Sequence, residues 1–200
     1  MMETEEARLV AALQQGDAAA FTQMVKAHHD GLVRLARAML NNGAAADEVV
    51  QEGWIRALKG IDGFQGRSSL RTWLFTIVAN LARTHMRKAG RAPTIPLETT
   101  GEYPEASEFA PDGHWRRGPI PWHDENPEAL LAQRELAGRL GQVLSSLPPQ
   151  QRAVCTLHDL EGVPMVEICN ILAVSESNGR VLLHRARKRL HKAIADHNAQ

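Results

Sequence analysis

The amino-acid sequence predicts an all-α protein built from two small helical domains, one a four-helix domain and the other a helix-turn-helix domain, joined by a flexible, acidic, proline-rich linker. Three observations carry this. Apolar residues recur at three- and four-residue steps through both ends of the chain, in segments rich in Ala, Leu, Arg, Glu and Gln. Aromatic residues make up only 4% and alternating Val/Ile runs are scarce, which argues against a sheet. Between these ends the helical pattern vanishes, and Pro93, Pro96, Pro104, Pro111, Pro119, Pro121 and Pro127 break the chain. The expected boundaries are 1–90, 91–127 for the linker, and 128–200.

Charge follows the same division. The formal net charge is +0, yet residues 98–128 hold eight acids against Arg116 and Arg117, while both flanks are basic. Cys155 and Cys169 each fall inside an apolar helical pattern, so they read as reduced, packed thiols and not as a disulfide framework. No apolar leader opens the chain and no run approaches a membrane span, which predicts a cytoplasmic protein without membrane insertion. No nucleophile elbow, phosphate-binding loop or Cys/His cluster is visible. No catalytic residue, metal or cofactor is therefore expected, and the protein is not expected to be an enzyme.

Taken in order, residues 5–15 form a short amphipathic helix closed by Gly16. Asp17 caps a second helix, with Met24, Leu32, Leu35 and Met39 on its apolar side, that ends at Asn41-Asn42-Gly43. A third, 45–59, places Asp47 and Glu48 in its first turn and Val49, Val50, Trp54, Ile55 and Leu58 in its buried stripe. Its opposite face carries Asp47, Glu48, Gln51, Glu52 and Arg56. The loop that follows holds Phe64, Gly66, Arg67, Ser68 and Ser69; either serine can cap the next helix, whose inner face is Leu70, Trp73, Leu74, Ile77, Val78 and Leu81. From Arg67 to Arg91 there is no acid, whereas Arg67, Arg71, Arg83, Arg87, Lys88 and Arg91 are cationic. An acid-free helix behind an aromatic-flanked loop suits a single-stranded nucleic acid, with cations on phosphates and pockets for unstacked bases. Gly66 lets the backbone approach a ligand, and Asn80 and Arg83 offer groups for the same strand.

In the linker, Trp115 and Trp122 are costly to leave bare and predict docking onto some surface. Beyond it, helices at 128–146 and 150–160 (Ala153, Val154, Leu157 and Leu160 inward) precede two closely joined helices, 165–172 and 176–195. Val166, Ile168, Cys169 and Ile171 are expected to pack the first of these; Val174 plugs the turn; Ser175 caps the second. That last helix begins Glu176, Ser177, Asn178 and carries Arg180, His184, Arg185, Arg187, Lys188, Arg189 and Lys192. A tight turn, a cap and a basic helix together point to a DNA major groove, with residues near the helix start reading base edges and the cations holding phosphates.

Two stretches carry a family resemblance. DEVVQEGWIRALKGIDGFQGRSSLRTWLFTIVANLAR, Asp47 to Arg83, closely resembles the promoter-melting domain of bacterial RNA polymerase sigma factors of the extracytoplasmic-function group, within the sigma-70 superfamily. LPPQQRAVCTLHDLEGVPMVEICNILAVSESNGRVLLHRARKRL resembles the minus-thirty-five-binding domain of the same group. Gly179 and Leu182 depart from it, standing where relatives often have a larger residue and Arg. The resemblance implies an alternative sigma factor that binds core RNA polymerase and promoter DNA, duplex and melted; it leaves open whether an anti-sigma factor, the Trp-bearing linker or neither holds it inactive. It assigns Asp47, Glu48, Gln51 and Arg56 to the polymerase. Phe64, Gly66, Arg67, Ser68, Ser69, Asn80, Arg83 and Arg87 fall to the minus-ten strand. Ser175, Glu176, Ser177, Asn178, Arg180, His184, Arg185, Arg187 and Lys188 fall to the minus-thirty-five duplex. Residues alone leave open a stand-alone helix-turn-helix regulator acting as a dimer, or an enzyme using some of the nine histidines.

Overall fold

The structure, a computed structural model, describes residues 2–90 and 138–198, and all regular structure among them is helical. The expectations for Trp115, Trp122 and the linker lie outside the described residues. The first half comprises α1 (Met2–Gln14), α2 (Ala18–Leu40), α3 (Gly43–Gly60), a 3-10 turn (Ile61–Gly63) and α4 (Leu70–Lys88). The second comprises α5 (described over 138–146), α6 (Pro149–Cys155), a π-helical turn (Thr156–Leu160), α7 (Met165–Leu172) and α8 (Glu176–Asn198).

The helix ends obey local chemistry. Asp17 accepts hydrogen bonds from the Ala19 and Ala20 amides, and Asn42 accepts one from Ala45, so each side chain satisfies first-turn donors that the helix itself cannot. Asn41 closes α2 in the left-handed region at φ 50°, which Asn tolerates better than most residues. Because α3 starts at Gly43, Asp47 and Glu48 sit in its second turn and not, as expected, in its first. The helix expected over 150–160 changes pitch instead: the Glu161 amide bonds the Thr156 carbonyl, five residues back, at 3.0 Å.

One continuous set of buried side chains runs through both halves, from Met24, Leu32 and Leu35 through Leu70, Leu74 and Val78 to Leu157, Ile168 and Ile171. Four residues expected inside are exposed: Ile55 (48%), Leu58 (49%), Leu160 (59%) and Val166 (58%). The reason is clear in α3. Its buried stripe is Ala45, Ala46, Val49, Val50, Gly53, Trp54 and Ala57. Small residues let α3 lie close to α4, where a Cβ on Gly53 would stand 3.0 Å from Val78. That contact turns Ile55 and Leu58 outward.

Candidate nucleic-acid interfaces

The loop before α4 is built as its residue types require. Gly66 is left-handed at φ 67°, and the Ser69 hydroxyl accepts from the Thr72 amide at 3.1 Å, so Ser69 and not Ser68 is the cap. Phe64 is half-buried against Trp73, their ring centroids 5.2 Å apart; Trp73 packs on the core rim. Arg67 and Ser68 are exposed at the tip. On α4, Asn80 and Arg87 are exposed, and Arg83 donates to the Asn80 side chain at 2.8 Å. The other end of the Arg83 guanidinium donates to the Ile171 carbonyl of α7 at 2.5 Å. Burial, then the neighbouring Arg87 charge, pushes the Arg83 pKa down.

Sequence reasoning missed what holds this loop. Gln14, the last residue of α1, donates to the carbonyls of Ile61 (3.1 Å) and Phe64 (3.5 Å). The Glu6 carboxylate accepts from the Leu70 amide, the first of α4. One helix thus ties both ends of the loop. The only signal for it was the spacing of Leu9, Val10 and Leu13, which fixes the helix but not the use of its polar side.

The second surface is α8. Ser175 caps it, accepting from the Asn178 amide at 3.3 Å, and the turn before it closes with Ala173 at φ 54° and the Val174 amide on the Cys169 carbonyl. Gly179 has a structural reason: a Cβ there would stand 3.0 Å from both Cys169 Sγ and Met165 Sδ, so glycine sets the approach of α8 to α7. Leu182 is core. Ser177, Arg180, Arg185 and Lys188 are exposed, with Arg180 in an exposed i,i+4 pair with Glu176; Asn178 and His184 are half-buried.

Arg187 departs from the expected surface set. Its guanidinium is 6% exposed and bonds both Asp159 carboxylate oxygens, Nε at 3.1 Å, with His158 beside it. It is an interior ion pair between α8 and the π turn, turned away from any groove. Burial favours protonating Asp159, but hydrogen bonds from His158 and Arg187 and the guanidinium charge outweigh it and hold the carboxyl well below the usual range. Cys155, 3.4 Å from Asp159, has its pKa pushed up to about 12 by burial and then by that carboxylate. Both cysteines are free and buried.

A third surface lies on α3, where Asp47, Glu48, Gln51 and Arg56 are all exposed, Asp47 pairing with Arg37 and Arg56 with Glu52. Ile55 and Leu58 extend the strip begun by Glu48 and Gln51, an apolar continuation that counting them as core had hidden. Among the described residues no group of His, Cys, Asp and Glu is placed to hold a metal, and no helix is long and apolar enough to cross a membrane.

A basic helix after a capped tight turn, with an acid-free helix behind a glycine-bearing loop, is the helix-turn-helix architecture of a DNA-binding protein. Comparison with known proteins gives the class its family. The chain matches the family models for sigma-70 region 2 over residues 24–92 and sigma-70 region 4 over residues 137–190. It is 30% identical to the ECF RNA polymerase sigma factor SigM of Mycobacterium tuberculosis (96% of this chain, 86% of the relative). To the ECF RNA polymerase sigma-E factor of Escherichia coli it is also 30% identical (93% and 92%), and to the RNA polymerase sigma-H factor of Pseudomonas aeruginosa 27% (97% and 96%). The fold is similar to that of CnrH, solved with the cytosolic domain of CnrY (TM-score 0.58, 22% identity, 96% of this chain and 97% of that one). It is likewise similar to the sigma factor RpoE of Bartonella quintana, solved with the anti-sigma factor NepR (0.59, 22%, 88% and 96%). The chain belongs to the sigma-70 family, in its extracytoplasmic-function group.

Proposed function

We propose that this sigma factor acts by binding and not by catalysis, in the cytoplasm, as a dissociable subunit that brings core RNA polymerase to promoters and helps open them. The observation that supports this most is the presence of both DNA surfaces in one chain, in the order of the two family regions. Exposed Arg180, Arg185 and Lys188, with Ser175, Glu176, Ser177 and Asn178 at the start of α8, take the minus-thirty-five duplex; half-buried His184 flanks them. The tip Gly66–Ser69, with Phe64 behind it and Asn80, Arg83 and Arg87 along α4, takes the melted minus-ten strand. Unstacking a base costs a few kcal/mol, which a pocket and phosphate contacts must offset. The α3 strip of Asp47, Glu48, Gln51 and Arg56, extended by Ile55 and Leu58, takes the polymerase. Residues 1–90 and 128–200 serve as the two working units, 91–127 as the tether. An anti-sigma partner is part of this reading, and it is supported by RpoE, similar in fold, which was solved with the anti-sigma factor NepR.

Run-off transcription tests the reading. Core polymerase on genomic promoter fragments should initiate at discrete sites only when the protein is added. Identical transcripts with and without it would refute the assignment. Exchanging residues 65–69 for those of a relative should then change which minus-ten base is preferred and leave polymerase binding unaltered.

A further inference from the structure

The two halves are not side by side by apolar contact alone; directional polar bonds fasten them. Glu161, at the end of the π turn, reaches into the first half with its side chain only 5% exposed. There Arg34 of α2 holds one oxygen at 2.5 Å and Arg71 of α4 the other at 2.7 Å. Space for it exists because position 31 is glycine: a Cβ on Gly31 would lie 2.8 Å from Glu161 Oε2. The Glu161 carboxyl is held below its usual range, since hydrogen bonds and charge from the two arginines outweigh the burial that would raise its pKa.

Three further fastenings surround this one. Glu167 of α7 bonds the Thr72 hydroxyl. Four residues on, the Ile171 carbonyl receives Arg83. Thr72 and Arg83 are 11 residues apart and so share one face of α4, about 16 Å long at 1.5 Å per residue. Helix α7 therefore lies along that face. At the other edge the Arg152 side chain, buried to 6%, donates to the Ala38 carbonyl at 2.5 Å and to Asn41 at 3.3 Å, satisfying the open end of α2.

We propose that the C-terminal half latches onto the α2–α4 face through Glu161, and that this latch competes with the melted DNA strand for Arg71 and Arg83. The DNA clause rests on the proposed function; the latch clause does not. Arg71 and Arg83 belong to the acid-free cationic segment, and here both are spent on acceptors from the other half. A strand laid along that face would have to displace α7 and draw both guanidiniums off Glu161 and Ile171. Conversely, the exposed cations of α8 stay outside the latch, so the closed chain keeps its duplex-reading side available.

The test uses the full chain, with dyes on Gln23→Cys of α2 and Lys192→Cys of α8, both exposed sites, while native Cys155 and Cys169 are buried. Glu161→Lys places a cation between Arg34 and Arg71 and should lower energy transfer between the dyes. Glu161→Lys with Arg34→Glu should recover part of it, with helix content by circular dichroism unchanged throughout. Binding of a fluorescent pool of random-sequence single-stranded DNA should tighten about tenfold in the opened variant, as expected if roughly nine-tenths of the wild type is closed. Transfer unchanged by Glu161→Lys overturns the latch. Lowered transfer with unaltered single-strand affinity overturns the competition. A wild type that fails in run-off transcription defeats the proposed function instead, and the transfer measurement still decides the latch.

Discussion

Replacing Arg187 by Ala separates two roles that its position in a basic helix confounds. If Arg187 held a phosphate, the substitution would weaken binding to all duplexes alike and reduce the salt slope by about one, with little change in stability. The structure requires the opposite. Removing one partner of a fully buried ion pair costs about 3–5 kcal/mol, because the other charge is left uncompensated. Asp159 keeps 28% of its side-chain exposure, so water offsets part of this and about 2–3 kcal/mol remains. For a chain of this size that is a fall in melting temperature of roughly 5–10 °C. The pH dependence has a definite sign. The Asp159 carboxyl is held below its unfolded value of about 3.9, so the pair's contribution is complete above that pH and is lost as pH falls through the lowered native value. Calorimetry from neutral pH down to below the unfolded value of about 3.9 follows the loss, and a salt titration of duplex binding well below the melting temperature gives the slope. The exposed Arg185→Ala variant serves as the contrast: a lower salt slope at unchanged stability. An Arg187→Ala protein that melts like wild type but loses one unit of slope would refute the placement of this side chain.

Gly179→Ala gains about 1 kcal/mol of helix propensity but forces a methyl to 3.0 Å from Cys169 Sγ and Met165 Sδ, where overpacking costs about 1–3 kcal/mol. Met165 can bend away, whereas Cys169 is held on α7, so net destabilisation is expected; in a Cys169→Ala background the same change should stabilise, as denaturant midpoints will show. Asp47→Lys with Glu48→Lys, both on exposed sites of α3, should abolish co-purification with core polymerase while the thermal midpoint moves by less than about 1 kcal/mol equivalent. Undiminished capture by the double variant would take the polymerase off this face. Gln14→Ala removes the bonds to the Ile61 and Phe64 carbonyls. It should relax minus-ten base preference in run-off assays without changing minus-thirty-five preference; an unaltered base profile would make α1 a mere packing helix.

Helix order and the tight turn before α8 were legible because each rests on local chemistry: caps at Asp17, Ser69 and Ser175, stops at Gly16 and Asn41, and three- and four-residue spacing. What failed to show were features decided across the chain. Counting apolar residues put Ile55 and Leu58 inside α3, but the helix that packs against it selected Ala46, Gly53 and Ala57. Charge counting put Arg187 with its neighbours on the surface, but the π turn, set by one extra residue of pitch, brought Asp159 beneath it. Gln151 and Arg152 fall outside the apolar set that the spacing marks as inward, yet both are buried, and the Arg152 guanidinium donates to the open end of α2. Periodicity reports which side of a helix is apolar. It carries no information about a buried cation that donates to a carbonyl 114 residues away.

The same limit applies to Arg71 and Arg83, and it bears on how sites should be read in a chain with two working halves. An acid-free segment marks cations that lack acidic neighbours nearby in sequence; it does not mark cations that lack acceptors in space. In this structure Arg71 has Glu161 and Arg83 has the Ile171 carbonyl, supplied from 90 and 88 residues away. Arg67, at the loop tip, and Arg87, in the last turn of α4, are both exposed and keep the accessibility that the sequence implied. Within one basic stretch, then, the ends are open to an arriving strand while the middle is covered by the chain's own second half. On the proposed competition, a strand that first touches the ends gains phosphate contacts before it must displace anything, and each further contact would weaken the hold of Glu161 and Ile171 on what remains. Single substitutions should reveal the asymmetry. Arg67→Ala should slow association with single-stranded DNA, since it removes an early contact, whereas Arg83→Ala should chiefly speed dissociation. Equal effects of the two on the association rate in stopped-flow measurements would show that the strand meets an α4 already uncovered along its whole length.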